Sequence, residues 1–187
     1  DDCSHIIVKS EEELIAEENL KHNEWKAKCL KFPMTIGAKR RKKSISEFHV
    51  IKGMGQGAYG KVLLCYREDD PNYEIILKCI YKERILVDSW TRDRKLGTVP
   101  AEIQIMAFLN YNPHPNTLKL IDFFEDDECF YVELPIHGSP PAMDLFDYIE
   151  IKKALSEIEI QYIFRQIVQS INHLHENGIV HRDIKDE

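Results

Sequence analysis

A chain of 187 residues that is 43% hydrophobic and 30% charged is long enough for one domain of ordinary size with a real core. A formal net charge of -7 argues against nucleic-acid binding through overall charge and leaves only a local basic patch open. Five cysteines without a C-x-x-C pair (Cys3, Cys29, Cys65, Cys79, Cys129), no apolar run near the ~20 residues of a membrane span, and an acidic, polar start point to a soluble cytoplasmic protein without a zinc site.

Residues 1–46 read as an extension. Ser10 with Glu13 makes a capping-box pattern, from which a helix runs to about Leu30 with a thin stripe of Leu14, Leu20 and Trp25. Then comes the basic run Lys39-Arg40-Arg41-Lys42-Lys43, followed by Ser44 and Ser46. A solvated linker is its plain reading. A nuclear-import signal, an anionic-surface contact and a phosphorylation site at Ser44 stay open beside it.

From Glu47 the pattern tightens. Phe48, Val50 and Ile51 lead as a strand into Met54-Gly55-Gln56-Gly57-Ala58-Tyr59-Gly60-Lys61-Val62, and a second strand covers 61–67. The stretch reads G-x-G-x-x-G-x-V. The residues after Gly60 are strand formers, so the glycines form the flap of a hairpin, not the helix entrance that a dinucleotide fingerprint needs. Glycines there let backbone approach a ligand. Residues 68–72 are a turn by composition, and a third strand spans 73–81. It carries Lys78 inside an apolar run. An edge lysine facing solvent and a phosphate ligand under the flap are both open.

A helix follows from Pro100, with Ile105, Met106 and Leu109 as its inward face. Glu102 near its start either pairs with Lys78 or complements the helix dipole. Strands at 117–124 and 129–136 around Glu125–Glu128 complete five antiparallel strands with one helix. Residues 135–143 are a connector. A short helix covers 144–153. Ser156 caps a longer one, Glu157–Glu176, with Ile160, Ile163, Phe164, Ile167, Ile171 and Leu174 spaced by three and four, ended by Asn177-Gly178. The last stretch is Ile179-Val180-His181-Arg182-Asp183-Ile184-Lys185-Asp186-Glu187.

His181-Arg182-Asp183 resembles the protein-kinase catalytic loop H-R-D-x-x-x-x-N. The glycine flap, Lys78, Glu102 and this loop stand in that family's order, and the resemblance covers about Glu47 to Glu187. Lys185 looks like the serine/threonine version. Residues 82–106, 122–126, 137–138, 144–146 and 181–187 are similar to PAS kinases, the fungal ones in particular.

The resemblance implies an α+β fold: a five-stranded antiparallel N-lobe with one main helix over 47–134, a hinge at 135–143, and the first helices of a helical C-lobe over 144–187. It implies transfer of the γ-phosphate of ATP, with Mg2+, to a serine or threonine of a protein substrate in nutrient and carbohydrate signalling. By position, the amides of Gly55, Gly57 and Gly60 cover the phosphates. Lys78, held by Glu102, contacts the α- and β-phosphates. Asp183 accepts the hydroxyl proton and Lys185 steadies the transferring group. Adenine lies between Met54, Val62 and Ile76, with Leu134 as gatekeeper. Pro135 offers its carbonyl, His137 an N–H, and Asp144 reaches the ribose. Ile76 departs from the family's usual alanine. The pattern stops one residue short of the loop Asn and before D-F-G, so the chain by itself is expected to turn over no ATP. The alternative is an inactive nucleotide-binding or regulatory fragment. A dinucleotide-binding oxidoreductase is disfavoured because no βαβ unit is present.

Overall fold

A computed structural model describes residues 10, 13, 16, 43–137 and 143–186. The chain divides into two units, residues 1–34 and 35–187. In the first, Ser10 and Glu13 exchange the two bonds of a capping box, Ser10 N–H to Glu13 Oε2 at 2.7 Å and Glu13 N–H to Ser10 Oγ at 3.2 Å. The rest of the helix expected to Leu30, and residues 39–42 of the basic run, lie outside the described residues apart from Ala16.

The second unit is built on seven strands and three helices among its described residues. The strands are β1 (Phe48–Gln56), β2 (Gly60–Arg67), β3 (Asp70–Tyr81), β4 (Trp90–Asp93), β5 (Gly97–Pro100), β6 (Asp122–Glu125) and β7 (Cys129–Leu134). The helices are α1 (Ala101–Leu109), α2 (Leu145–Lys152) and α3 (Glu157–Glu176). Five strands form one antiparallel sheet in the order β1-β2-β3-β7-β6.

Strand alternation gives this sheet two different faces. Cross-strand partners Val62, Lys78 and Val132 share one face with Leu64, Ile76 and Leu134. That face packs with Val99, Ile103, Ala107, Leu120 and Phe130 in one core cluster. Leu77, Cys79, Tyr131 and Glu133 point the other way. There Phe48, Cys65, Ile75, Leu77, Cys79, Phe124 and Tyr131 make a second cluster, with Phe48 stacked on Phe124 at 5.6 Å.

Several local expectations are corrected. Asp70, Pro71 and Asn72 belong to β3 and not to the preceding turn. Residues 117–121 are irregular, so β6 starts at Asp122, and β7 stops at Leu134. Thr98 to Pro100 form β5, which pairs with β4 as a separate hairpin that sequence periodicity did not suggest. Its turn is held by Asp93, whose Oδ1 accepts from the N–H groups of Lys95 at 2.7 Å and Leu96 at 2.9 Å. Gly97 lies at φ 82, a backbone region costly for any residue with a Cβ. Pro100 therefore ends a strand and sits just ahead of α1. The buried face of α1 is Ile103, Ala107 and Leu109, with Met106 packed against it; Ile105 is exposed.

Asp144 caps α2 by accepting from Asp147 N–H at 2.8 Å. Ser156 and Glu159 form a full capping box on α3. The far end of α3 closes as a Schellman motif: Gly178 N–H donates to His175 O and Ile179 N–H to Leu174 O, each at 2.9 Å, with Gly178 at φ 73. Leu174 is buried on α3, whereas Ile160 and Phe164 of the same apolar stripe are exposed. No described helix is long and apolar enough to cross a membrane.

Candidate active site

The glycine flap joins β1 to β2, with Gly55 opposite Val62. Its turn is closed by Gly57 N–H to Gly60 O at 2.9 Å. Two further bonds tie its tip to the end of β3: Tyr81 N–H donates to Tyr59 O at 3.0 Å, and Arg84 Nη1 donates to Ala58 O at 3.3 Å. The three glycines differ. A Cβ on Gly60 would stand 1.8 Å from Cys79 O, so Gly60 is required by the close approach of β2 to β3. A Cβ on Gly55 or Gly57 would meet nothing within 4 Å. The space over those two residues is open.

Lys78 lies on the central strand β3, flanked by Val62 of β2 and Val132 of β7. Burying an ammonium beside such neighbours demands a counter-charge. Glu102 in the first turn of α1 supplies it, with Nζ to Oε1 at 2.5 Å. The pair is part-exposed, 35% for Lys78 and 41% for Glu102, so it is open to a ligand. Lys78 is therefore not an edge lysine, and Glu102 does more than complement a dipole.

Along the same face, Ile76 sits directly opposite Leu134, which is 7% exposed and part of the core cluster. Val62 is half-buried and Met54 exposed. Beyond β7 the chain runs on through half-buried Pro135 to exposed Ile136 and His137. One oxygen of Asp144 is engaged in capping α2. Val62, Ile76, Lys78 and Leu134 thus share one face of the sheet, with Met54 at an irregularity of β1 beside Gly55.

Asp183 and Lys185 lie on another element, the exposed irregular segment that follows the Schellman turn. Asp183 N–H donates to His181 Nδ1 at 3.3 Å, and Phe146 N–H of α2 donates to Asp186 O at 3.0 Å. Between His181 and Asp183, Arg182 is left-handed at φ 64. A non-glycine residue there costs of order 1–3 kcal/mol and marks segments whose side-chain directions matter.

The segment between α1 and β6 anchors this part to the sheet. His173 of α3 is buried, its Nε2 lies 2.7 Å from Asn112 O, and its ring stacks on His114 at 5.0 Å. Asn116 Nδ2 donates to Gln166 O at 3.3 Å, and Ser170 Oγ to Asn116 O at 3.1 Å. Sequence reasoning missed these residues, and Arg84 too. The one available signal was polar residues, His173 and Ser170, recurring along the otherwise apolar stripe of α3.

Lys43 also departs from expectation. Far from being a solvated linker residue, it is 10% exposed, with Nζ 2.5 Å from Glu133 and 2.7 Å from Asp122. Among the described residues no group of three or more His, Cys, Asp or Glu side chains is placed to hold a metal ion.

Residues 48–187 match the family model described as protein kinase domain. The chain is 57% identical over 152 residues to the serine/threonine-protein kinase PSK2 of Saccharomyces cerevisiae, covering 81% of this chain and 14% of the yeast protein. It is 45% identical over 179 residues to the serine/threonine-protein kinase ppk6 of Schizosaccharomyces pombe, covering 96% of this chain and 21% of that protein. It is 41% identical over 141 residues to a mouse PAS domain-containing serine/threonine-protein kinase, covering 75% and 10%. The chain therefore spans about a fifth or less of the length of these relatives.

Proposed function

The chain belongs to the protein kinase family, and from that premise we propose that it carries the ATP-binding lobe and the catalytic loop of a PAS-type serine/threonine kinase. The observation that carries this reading is the Lys78–Glu102 pair at 2.5 Å, on the sheet face shared with Val62, Ile76 and Leu134. A lysine held by a carboxylate at that place is a fixed cation for nucleotide phosphates.

The open space over Gly55 and Gly57 suits phosphates approached by backbone N–H groups. Adenine packs against Met54, Val62 and Ile76 and meets the connector at Pro135 and His137. Pro135 has no N–H, so it accepts through its carbonyl, while His137 N–H donates. Mg2+, carried on the phosphates, supplies charge neutralisation there. The substrate is a protein serine or threonine. Its hydroxyl oxygen bonds to the γ-phosphorus, the bond from that phosphorus to the β,γ-bridging oxygen breaks, ADP leaves, and the hydroxyl proton passes to Asp183. Lys185 offsets charge on the transferring group. Positioning and charge compensation provide most of the rate, because the transition state is loose.

The test has two parts. ATP binding to this chain is measured for the wild type and for Lys78→Met, which should bind at least tenfold more weakly, about 1.4 kcal/mol. In the protein that carries this chain, Asp183→Asn should abolish phosphotransfer to a serine peptide while leaving ATP binding in place. Equal ATP affinity in wild type and Lys78→Met would refute the phosphate role, and phosphotransfer unchanged by Asp183→Asn would refute the catalytic one.

A further inference from the structure

The sheet has a second charged centre, on the face away from Lys78. Asp122 of β6 and Glu133 of β7 are cross-strand partners, so two carboxylates stand directly opposite one another. Like charges so placed repel. Glu133 is 1% exposed and has no water to dilute its charge. Lys43, which precedes β1, lies between them with its ammonium within 2.7 Å of both.

The segment that delivers Lys43 is fixed. Ser44 and Glu47 close a capping box around the short turn Ile45–Glu47. Ile45 packs on the second core cluster, of which Phe48 is a member. Lys43 thus reaches its partners from a backbone that is already ordered.

Burial pushes the Glu133 carboxyl up from its ordinary value, and the Lys43 ammonium only partly offsets this. For Lys43, burial alone would lower the ammonium, but hydrogen bonds to Asp122 and Glu133 outweigh it and hold the group charged.

Glu133 is the residue immediately before Leu134, the last residue of β7, from which the chain passes to Pro135–His137. We propose that Lys43 is a positioning residue for the adenine-binding connector: by neutralising Glu133 it holds the end of β7, and with it Pro135 to His137, in place. Without the ammonium, a buried carboxylate faces a second one, and the repulsion is relieved by taking up a proton or by moving the strand end toward water; either change replaces the contacts that hold the end of β7. The basic run would then contribute one residue to the nucleotide site from behind the sheet. The inference rests on the nucleotide reading above.

Adenosine and ATP are titrated into the chain and its variants. Adenosine lacks phosphates and reports the adenine contacts, the connector among them, without Lys78. Lys43→Met should weaken both ligands by about tenfold, while Lys78→Met weakens ATP and leaves adenosine unchanged. The double variant Lys43→Met with Glu133→Gln, which removes the uncompensated charge, should recover adenosine affinity to within about threefold, as coupling within one network requires. A merely structural lysine would lower the melting temperature of Lys43→Met and leave adenosine affinity within twofold of wild type, and that result overturns the proposal.

If Lys43→Met does not fold, the question is put to the wild type by amide exchange. Adenosine should slow exchange across 43–48 as well as 133–137, because coupling is reciprocal. Protection confined to the connector overturns the proposal. A wild type that binds ATP but not adenosine also overturns it. A wild type that binds neither overturns the nucleotide reading itself.

Discussion

Substituting the three flap glycines one at a time separates a packing requirement from a ligand requirement. A Cβ on Gly60 would stand 1.8 Å from Cys79 O, 2.9 Å from Cys79 C and 3.2 Å from Ile80 Cα. All three are backbone atoms, so no side chain can swing aside. Ordinary contact begins at 3.4 Å, so the backbone at the Gly60–Ile80 pair has to shift to admit a methyl group. Overpacking of this kind costs about 1–3 kcal/mol. In a chain of this length each kcal/mol moves the melting temperature by ~2–4 °C, so Gly60→Ala should melt ~2–12 °C lower. At Gly55 and Gly57 a methyl group meets nothing within 4 Å, and neither residue is left-handed. Alanine there narrows the unfolded ensemble and should leave stability unchanged or raise it by about 0.4–1 kcal/mol. The same methyl enters the space proposed for the phosphates, so ATP affinity should fall while melting does not. Circular dichroism melts and ATP titrations on the three variants decide it. Gly60→Ala melting with the wild type, or Gly55→Ala melting several degrees lower, would show that the flap glycines do not divide this way.

Lys78→Met should cost the fold no more than about 1 kcal/mol, since a part-exposed ion pair contributes little; a urea midpoint far below wild type would mean the pair is structural. Gly178→Ala forces a Cβ into a left-handed position at φ 73 and should destabilise by about 1–2 kcal/mol, read from urea melts, and no change would mean the Schellman turn relaxes freely. Glu159 is held down to about 2 by the Lys152 ammonium first and by the Ser156 backbone and hydroxyl next. Its folded value lies below its unfolded one, so its contribution is present above pH 4.5 and lost as pH falls toward 2. Helicity of wild type and Glu159→Gln should therefore converge over that window, and parallel curves would remove the capping assignment.

The legible parts of this chain were those whose causes are local. Ser156, Glu159 and Gly178 announce both ends of α3 within a turn of the residues they cap, and α3 runs as the spacing predicts. Lys78 and Glu102, 24 residues apart, were readable from the residues as one of two open pairings, and the family pattern favoured the ion pair, because nothing in the residues between them specifies the approach. The β4–β5 hairpin was not legible. Its strands have four residues each, and its Pro100 is equally suited to the start of a helix. On α1 the obvious large residue Ile105 turns outward while Ala107 faces the sheet, since close approach favours a small side chain there. Lys43 was hidden for a different reason. A lysine at the end of a basic run reads as solvated, and its partner Glu133 is 90 residues away.

Those two lysines show how one sheet can carry opposite duties on its two faces. Lys78 and Glu102 are left about a third or more exposed, so their charge remains available to a ligand. Lys43 and Glu133 are buried to 10% and 1%, so their charge is spent on each other and on Asp122. The alternation of β3 and β7 makes the separation possible: Val132 lies beside Lys78, and the next residue, Glu133, points to the opposite side. A shift of one residue in the pairing of β7 would exchange these faces, moving Glu133 toward Lys78 and Leu134 away from Ile76. The ion triad behind the sheet thus favours the register that sets Leu134 opposite Ile76 on the other face. A counter-charge invisible in the local sequence and the placement of Lys78 opposite Val132 on the other face are consequences of the same strand alignment.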